Sequence, residues 1–158
     1  MKKMLIIVDC SIFSEKIAEY FSEKYEVFCL CKTDEEKESY AQKLIKGFKI
    51  EDDITDYYKN ADIILNCSEE IDERVLNKLF DNVICTQKRV IFNIILNSKK
   101  VKKHEDLLLN NKKPFYLKQI VIQGQMSEFK LDEYYMIFDR LDNIIENDVR
   151  SFYIITIK

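Results

Sequence analysis

A length of 158 residues suits a single domain. With 47% hydrophobic and 34% charged residues, the chain can fill a core and solvate a surface, which excludes a disordered polypeptide. A net charge of −3 excludes a global attraction to nucleic acid or anionic membrane, and no apolar run approaches the roughly 20 residues that span a bilayer.

The first apolar run, residues 4–8, is too short for a signal peptide and reads as a strand, so a cytosolic protein is expected. Ile12, Phe13, Ile17, Ala18 and Phe21 then share one helix face, with Ser11 or Ser14 available as the cap. Residues 25–31 read as strand two and 34–44 as a polar surface helix. Phe48 and Ile50 mark a short third strand, followed by a helical turn over 53–59 and a fourth strand over 61–67. Helices are expected over 71–80 and over 83–96, where Val90, Ile91, Ile94 and Ile95 would line the inner face. Residues 107–109 read as a short fifth strand. Tyr134, Ile137, Phe138, Leu141, Ile144 and Ile145 recur at three- and four-residue steps and predict a helix over 131–145. Residues 152–157 read as strand six.

Strands alternating with helices imply a three-layer, doubly wound α/β domain spanning residues 1–158, with a mostly parallel sheet of about six strands. Ligands of such sheets sit beyond the carboxyl ends of the strands, here residues 9–14, 32–33, 53–54, 66–68 and 110–111. Five cysteines (10, 29, 31, 67 and 85) fall mostly within strand-like runs. Cys29-Leu30-Cys31 puts two thiols on one face, but without a histidine cluster it is a poor metal set, so buried reduced thiols are expected. The chain has two glycines, too few for a glycine-rich phosphate loop.

Several segments at the strand ends resemble the short-chain dehydrogenases/reductases, closest to the extended, NAD-dependent epimerase/dehydratase branch. Val8-Asp9-Cys10-Ser11-Ile12-Phe13-Ser14 stands where that family has its glycine-rich turn. Asp52-Asp53-Ile54 resembles the stretch that flanks the adenine, and Asn66-Cys67-Ser68 the end of strand four. Asn82-Val83-Ile84-Cys85-Thr86 is similar to the start of the following helix. Tyr135 and Asp139 stand where the family carries its Tyr-x-x-x-Lys pair. The resemblance runs along nearly the whole chain and implies a Rossmann-like fold. It assigns Asp9, Ser11, Ser14, Lys32, Asp53, Ile54, Asn66 and Ser68 to a vestigial cofactor site, and Tyr135 with Asp139 to a vestigial catalytic pair.

The departures from the family pattern carry the functional reading. The turn has no glycine to let backbone N–H groups approach a pyrophosphate, and Asp9 would add like-charge repulsion there. A carboxylate at 139 opposes the phenolate that the family's lysine promotes, so Tyr135 is expected to be a packing residue. The catalytic Ser or Thr after strand five is replaced by Asn110 and Asn111, and Tyr116-Leu117-Lys118 has the wrong spacing to substitute for the pair.

The remaining candidates are weaker. His104, the single histidine, follows Lys99, Lys100, Lys102 and Lys103 and is expected to be exposed in a solvated basic loop. Asp52, Asp53 and Asp56 could ligate Mg²⁺ but read more simply as a loop and helix start. The leading expectation is a degenerate, non-catalytic domain that serves in binding, scaffolding or regulation, with no cofactor and no metal. The alternative is an atypical NAD(P)-dependent reductase or epimerase-like enzyme, with Lys32 meeting an adenosine phosphate. A third is a metal-dependent phosphatase or nuclease using Asp9. The resemblance further implies a homodimer through the helices over 83–96 and 131–145, and Ile137→Glu or Ile144→Glu is expected to break the dimer or the fold.

Overall fold

A computed structural model describes residues 2–8, 12–52, 61–68, 72–82, 89–96, 98–110, 115–124, 130–147 and 149–157. Strands β1 (Met4–Val8), β2 (Glu26–Leu30), β3 (Lys46–Phe48), β4 (Ile63–Asn66), β5 (Arg89–Ile95), β6 (Phe115–Gln123) and β7 (Phe152–Thr156) form one sheet. Helices α1 (Ile12–Phe21), α2 (Asp34–Gln42), α3 (Glu73–Asn82), α4 (Val101–Leu109) and α5 (Leu131–Glu146) alternate with them. The spatial order is β3-β2-β1-β4-β5-β6-β7, and every pairing is parallel. The chain moves outward from β1 to β3, then returns to build on the other side of β1. The strand order therefore switches between β1 and β4, where this architecture opens its crevice.

Both faces of the central strands are covered, so β1 is buried at all five positions and shows no polar alternation. On one face Leu5, Ile7, Val27, Leu65 and Phe92 meet Ile17 and Phe21 of α1 and Ile137, Phe138 and Leu141 of α5. On the other, Ile6, Val8, Ile64 and Ile91 meet Leu76 and Leu79 of α3 and Leu108 of α4. Cys29 and Cys31 share the first face, and Cys67 joins them there; all three are buried thiols outside any disulfide, as their strand-like settings suggested. No described helix is long and apolar enough to cross a membrane.

Thr33 starts α2 by accepting the Glu36 backbone N–H at 3.2 Å. The chain leaves the same helix through Leu44, which is 90% exposed and held at φ 61°. Gly47 of β3 is needed for close packing: a Cβ there would lie 2.8 Å from Cys31 Sγ and 3.1 Å from Lys37 Cα.

The first half of the chain follows the sequence expectations closely, and α3 and α5 also lie where expected. The second half requires corrections. Residues 89–95, expected to belong to a helix over 83–96, form the central strand β5; residues 83–88 lie outside the described residues. A strand buried on both faces has a continuous apolar run, and Val90, Ile91, Ile94 and Ile95 happen to mimic a helical turn. Residues 107–109 end α4 rather than form a strand, and Asn110 is its C-cap rather than a strand end. Among the described residues the sheet has seven strands, close to the expected six, because β5 and Phe115–Gln123 replace the strand expected over 107–109. Lys99–Lys103 lies in a 3-10 turn and the start of α4 rather than a loop. Ser14 lies inside α1, so it is not the cap. The expected helical turn over 53–59 lies outside the described residues.

Candidate functional site

The crevice edge lies where β1, β2 and β4 end. β1 ends at Val8 and α1 starts at Ile12, so the connection has three residues, Asp9, Cys10 and Ser11. Asp9 and Ser11 themselves lie outside the described residues, as do Asp53 and Ile54. The chain's glycines are elsewhere: Gly47 in β3, and Gly124 just after β6 with φ 154°. Ser14 is fully buried in the first turn of α1, on the same side as Ile17, Ala18 and Phe21. A small polar residue there takes little room between the helix and the sheet.

At the end of β2, Lys32 is exposed and its backbone N–H is taken by Glu36 Oε2 at 2.8 Å. Asp34, Glu35 and Glu36 occupy the first turn of α2. Their carboxylates suit the helix dipole and put negative charge at the end of β2, which opposes an incoming phosphate, although Asp34 is itself paired with Lys49 at 3.1 Å. Asp52 is engaged as well. Its Oδ2 accepts from Lys37 Nζ at 2.9 Å and from the Lys49 backbone N–H at 2.7 Å, and these bonds hold its carboxyl below the usual aspartate range.

Asn66, the last residue of β4, faces the α3–α4 layer and is buried. It stands in register with Asn93 of β5, which stands in register with Gln119 of β6. Asn66 Nδ2 donates to Asn93 Oδ1 at 2.7 Å, and Asn93 Nδ2 donates to Gln119 Oε1 at 2.7 Å. His104 of α4 closes this row from above, its Nδ1 lying 3.1 Å from Asn93 Nδ2 and 3.2 Å from Asn93 Oδ1. The imidazole thus accepts from the amide nitrogen when neutral at Nδ1 and donates to the amide oxygen when protonated there. His104 is 1% exposed, which corrects the expectation of a solvated residue. The lysines around it point one way and the histidine the other because α4 is amphipathic, with His104 and Leu108 on its inner face. Gln119 Nε2 is buried and has no partner among the described residues.

Tyr135 and Asp139 lie elsewhere. The helix that follows β5 is α4; α5, which carries them, follows β6. Asp139 accepts a hydrogen bond from Tyr20 of α1 rather than acting on Tyr135. Burial first, and the Asp139 carboxylate second, raise Tyr20 well above the ordinary tyrosine range. Tyr135 is half exposed, with its ring 6.3 Å from that of Tyr20. The two rings lie side by side on the α1–α5 surface. The sheet therefore separates Tyr135 and Asp139 from Asn66. Ser68, two residues past β4, is half-buried. No cluster of three or more metal-ligating side chains occurs among the described residues.

A parallel, doubly wound sheet with its order switch between β1 and β4 defines a Rossmann-like domain. No family model matches the sequence, and no curated protein matches it. Solved structures do share the fold. A protein assigned to the short-chain dehydrogenases/reductases from Corynebacterium glutamicum is similar over 98% of this chain and 100% of its own, with a TM-score of 0.56 and 10% identity. Prephenate dehydrogenase from A. aeolicus, solved with NAD⁺ and hydroxyphenyl propionate, is similar over 100% of this chain and 60% of its own, with a TM-score of 0.53 and 13% identity. An imine reductase variant from Myxococcus stipitatus, solved with NAD⁺, is similar over 99% of this chain and 55% of its own, with a TM-score of 0.50 and 11% identity. The chain thus spans the whole of the first neighbour but little more than half of the other two. At these identities the likeness is one of fold.

Proposed function

We propose that this domain has kept the Rossmann sheet, has given up dinucleotide chemistry and works as a non-catalytic binding, scaffolding or regulatory module. One observation carries the reading: the three-residue connection from β1 to α1 has no glycine and contains an aspartate. A pyrophosphate must approach the backbone closely there, which side chains obstruct and a carboxylate repels. Three further features agree with it. Glu36 occupies the Lys32 N–H, Asp52 is committed to Lys37 and Lys49, and Asp139 is committed to Tyr20.

The rival reading is an atypical NAD(P)-dependent reductase or epimerase-like protein that holds its cofactor through a different loop. It is favoured by the neighbours solved with NAD⁺ and by the close α1 packing around Ser14. The two readings separate in a thermal-unfolding titration with NAD⁺, NADH, NADP⁺, NADPH and UDP-sugars. A ligand at a hundred times its Kd adds about 2.7 kcal/mol to folding stability, which would raise Tm by several degrees in a domain of this size. The expected result is no shift with any of them. A reproducible rise with one dinucleotide would overturn the proposal in favour of the rival.

A further inference from the structure

The two edges of the sheet are built in opposite ways. β3 is three residues long, and its exposed Lys46 is paired with Glu26. Short length and a lysine are the usual means of keeping an edge from pairing with another chain. β7 has none of these protections. From Ser151 to Ile157 the sequence is Ser-Phe-Tyr-Ile-Ile-Thr-Ile, with no charge, proline or glycine. Phe152 is 46% and Ile154 54% exposed on the side opposite α5, where no described element covers them. On the other side, a groove of about 390 Å³ runs between Arg140, Asn143 and Ile144 of α5 and Tyr153–Ile155 of β7.

The hydrogen-bond directions of β7 follow from its pairing with β6. Ser151 C=O accepts from Gln119 N–H, and Ile157 N–H donates to Gln123 C=O. Backbone groups alternate along a strand, so those of 151, 153, 155 and 157 face β6 and those of Phe152, Ile154 and Thr156 face outward. The Tyr153 hydroxyl holds the strand's entry in place by accepting from the N–H groups of Val149 at 3.1 Å and Arg150 at 2.9 Å.

We propose that β7 pairs antiparallel with β7 of a second copy about a twofold axis through Ile154, making one continuous sheet. The register is self-consistent. Ile154 opposes its own equivalent and Phe152 opposes Thr156, so each outward residue meets an outward residue. Directly opposed residues of this kind exchange both N–H···O bonds, so every outward donor and acceptor of the three residues is satisfied. The same register joins Phe152 and Ile154 of both copies into one apolar patch, while Tyr153 and Ile155 of the incoming strand lie over the groove beside α5. A second copy is favoured over an unrelated peptide because the uncharged strand is complementary to itself and because twofold pairing through β7 leaves only the short, lysine-bearing β3 edges exposed. This dimer differs from one built on residues 83–96 and 131–145. β5 is a buried central strand, and Ile137 is fully buried in the chain's own core. It is also independent of whether a dinucleotide binds.

Sedimentation of the purified chain across the micromolar range tests the proposal, together with Ile154→Lys, which sets two like charges face to face at the axis. The expected result is a wild-type dimer and a variant weakened by roughly a hundredfold or more, with unchanged Tm of the dissociated chain. Should that variant fail to fold, Thr156→Lys on the same exposed side replaces it. Amide exchange gives an independent readout: Phe152, Ile154 and Thr156 N–H become protected as concentration rises. A monomeric wild type overturns the proposal, even if it captures an extended peptide at β7. So does a dimer that these substitutions and the amide protection leave untouched.

Discussion

The two faces of the sheet are equally buried but chemically unlike. Toward α1, α2 and α5 the contact is apolar, from Leu5 and Ile7 through Phe92 to Phe138 and Leu141. Toward α3 and α4, the same strands interrupt an apolar layer with a row of three carboxamides and an imidazole, Asn66, Asn93, Gln119 and His104. Apolar burial explains stability on the first face. It does not explain the row, since exchanging a buried hydrogen-bonded network for apolar groups of similar shape is close to neutral. What the row supplies is register. A slip of one residue in β4, β5 or β6 would turn an amide onto the apolar face with no partner, so the misaligned sheets are penalised.

The largest expected effect comes from the apolar face. Phe138→Ala removes the ring of a residue only 2% exposed and should cost about 3–5 kcal/mol by chemical denaturation. The polar row should respond differently to single and combined changes. Asn93→Leu leaves Asn66, Gln119 and His104 without their central partner and should cost on the order of 3 kcal/mol. Replacing all four residues with leucine should recover most of that loss, to within about 1 kcal/mol of wild type, while broadening the NMR signals of β5. A combined variant as unstable as the sum of its single changes would show that the row serves stability, and the contrast between the faces would disappear.

How far the sequence discloses this arrangement depends on which strands are involved. β1 to β4 could be read because turn residues and charged helices separate short apolar runs, as Thr33 and the acidic first turn of α2 do. β5 could not, because a parallel strand covered on both faces has no alternation and its isoleucines fall one helical turn apart. β6 was hidden by Lys118 and Gln119 in the middle of its run. Among the site residues, Asn66 was legible as the end of β4. Its partners were not, since Asn93 was assigned to a helix and His104 to a solvated loop. Two signals were available: the β-branched richness of residues 90–95, and the four-residue spacing of His104 and Leu108. The placing of Tyr135 beside Tyr20 of α1 became visible only in the fold.

A smaller effect sharpens the picture of a chain poor in glycine. Leu44 adopts φ 61°, a conformation in which a Cβ is unfavourable, while its side chain is almost fully exposed. Leu44→Gly should therefore stabilise the domain by about 1 kcal/mol, seen as a Tm rise of a few degrees. If it does, glycine is missing even where the backbone alone favours it. The bare β1–α1 connection then reflects composition as well as function, and the titration with dinucleotides becomes the deciding measurement.

The smallest effect contrasts a surface ion pair with the buried row. Asp52 is held below its ordinary range by Lys37 and by the Lys49 N–H, and the Lys37 pair is partly exposed at 44% and 32%. Because the carboxyl is more acidic folded than unfolded, its contribution is complete above the unfolded pKa of about 3.9. It is lost as pH falls through the lower, folded value. Solvent screening at this exposure limits the contribution to about 1 kcal/mol or less, with a further decrease in high salt. Asp52→Asn should therefore flatten the decline in stability below about pH 4 by that amount and leave neutral-pH stability lowered to the same extent. An equal loss for Asp52→Asn and Asn93→Leu at neutral pH would mean that burial does not set the difference between polar groups in this fold.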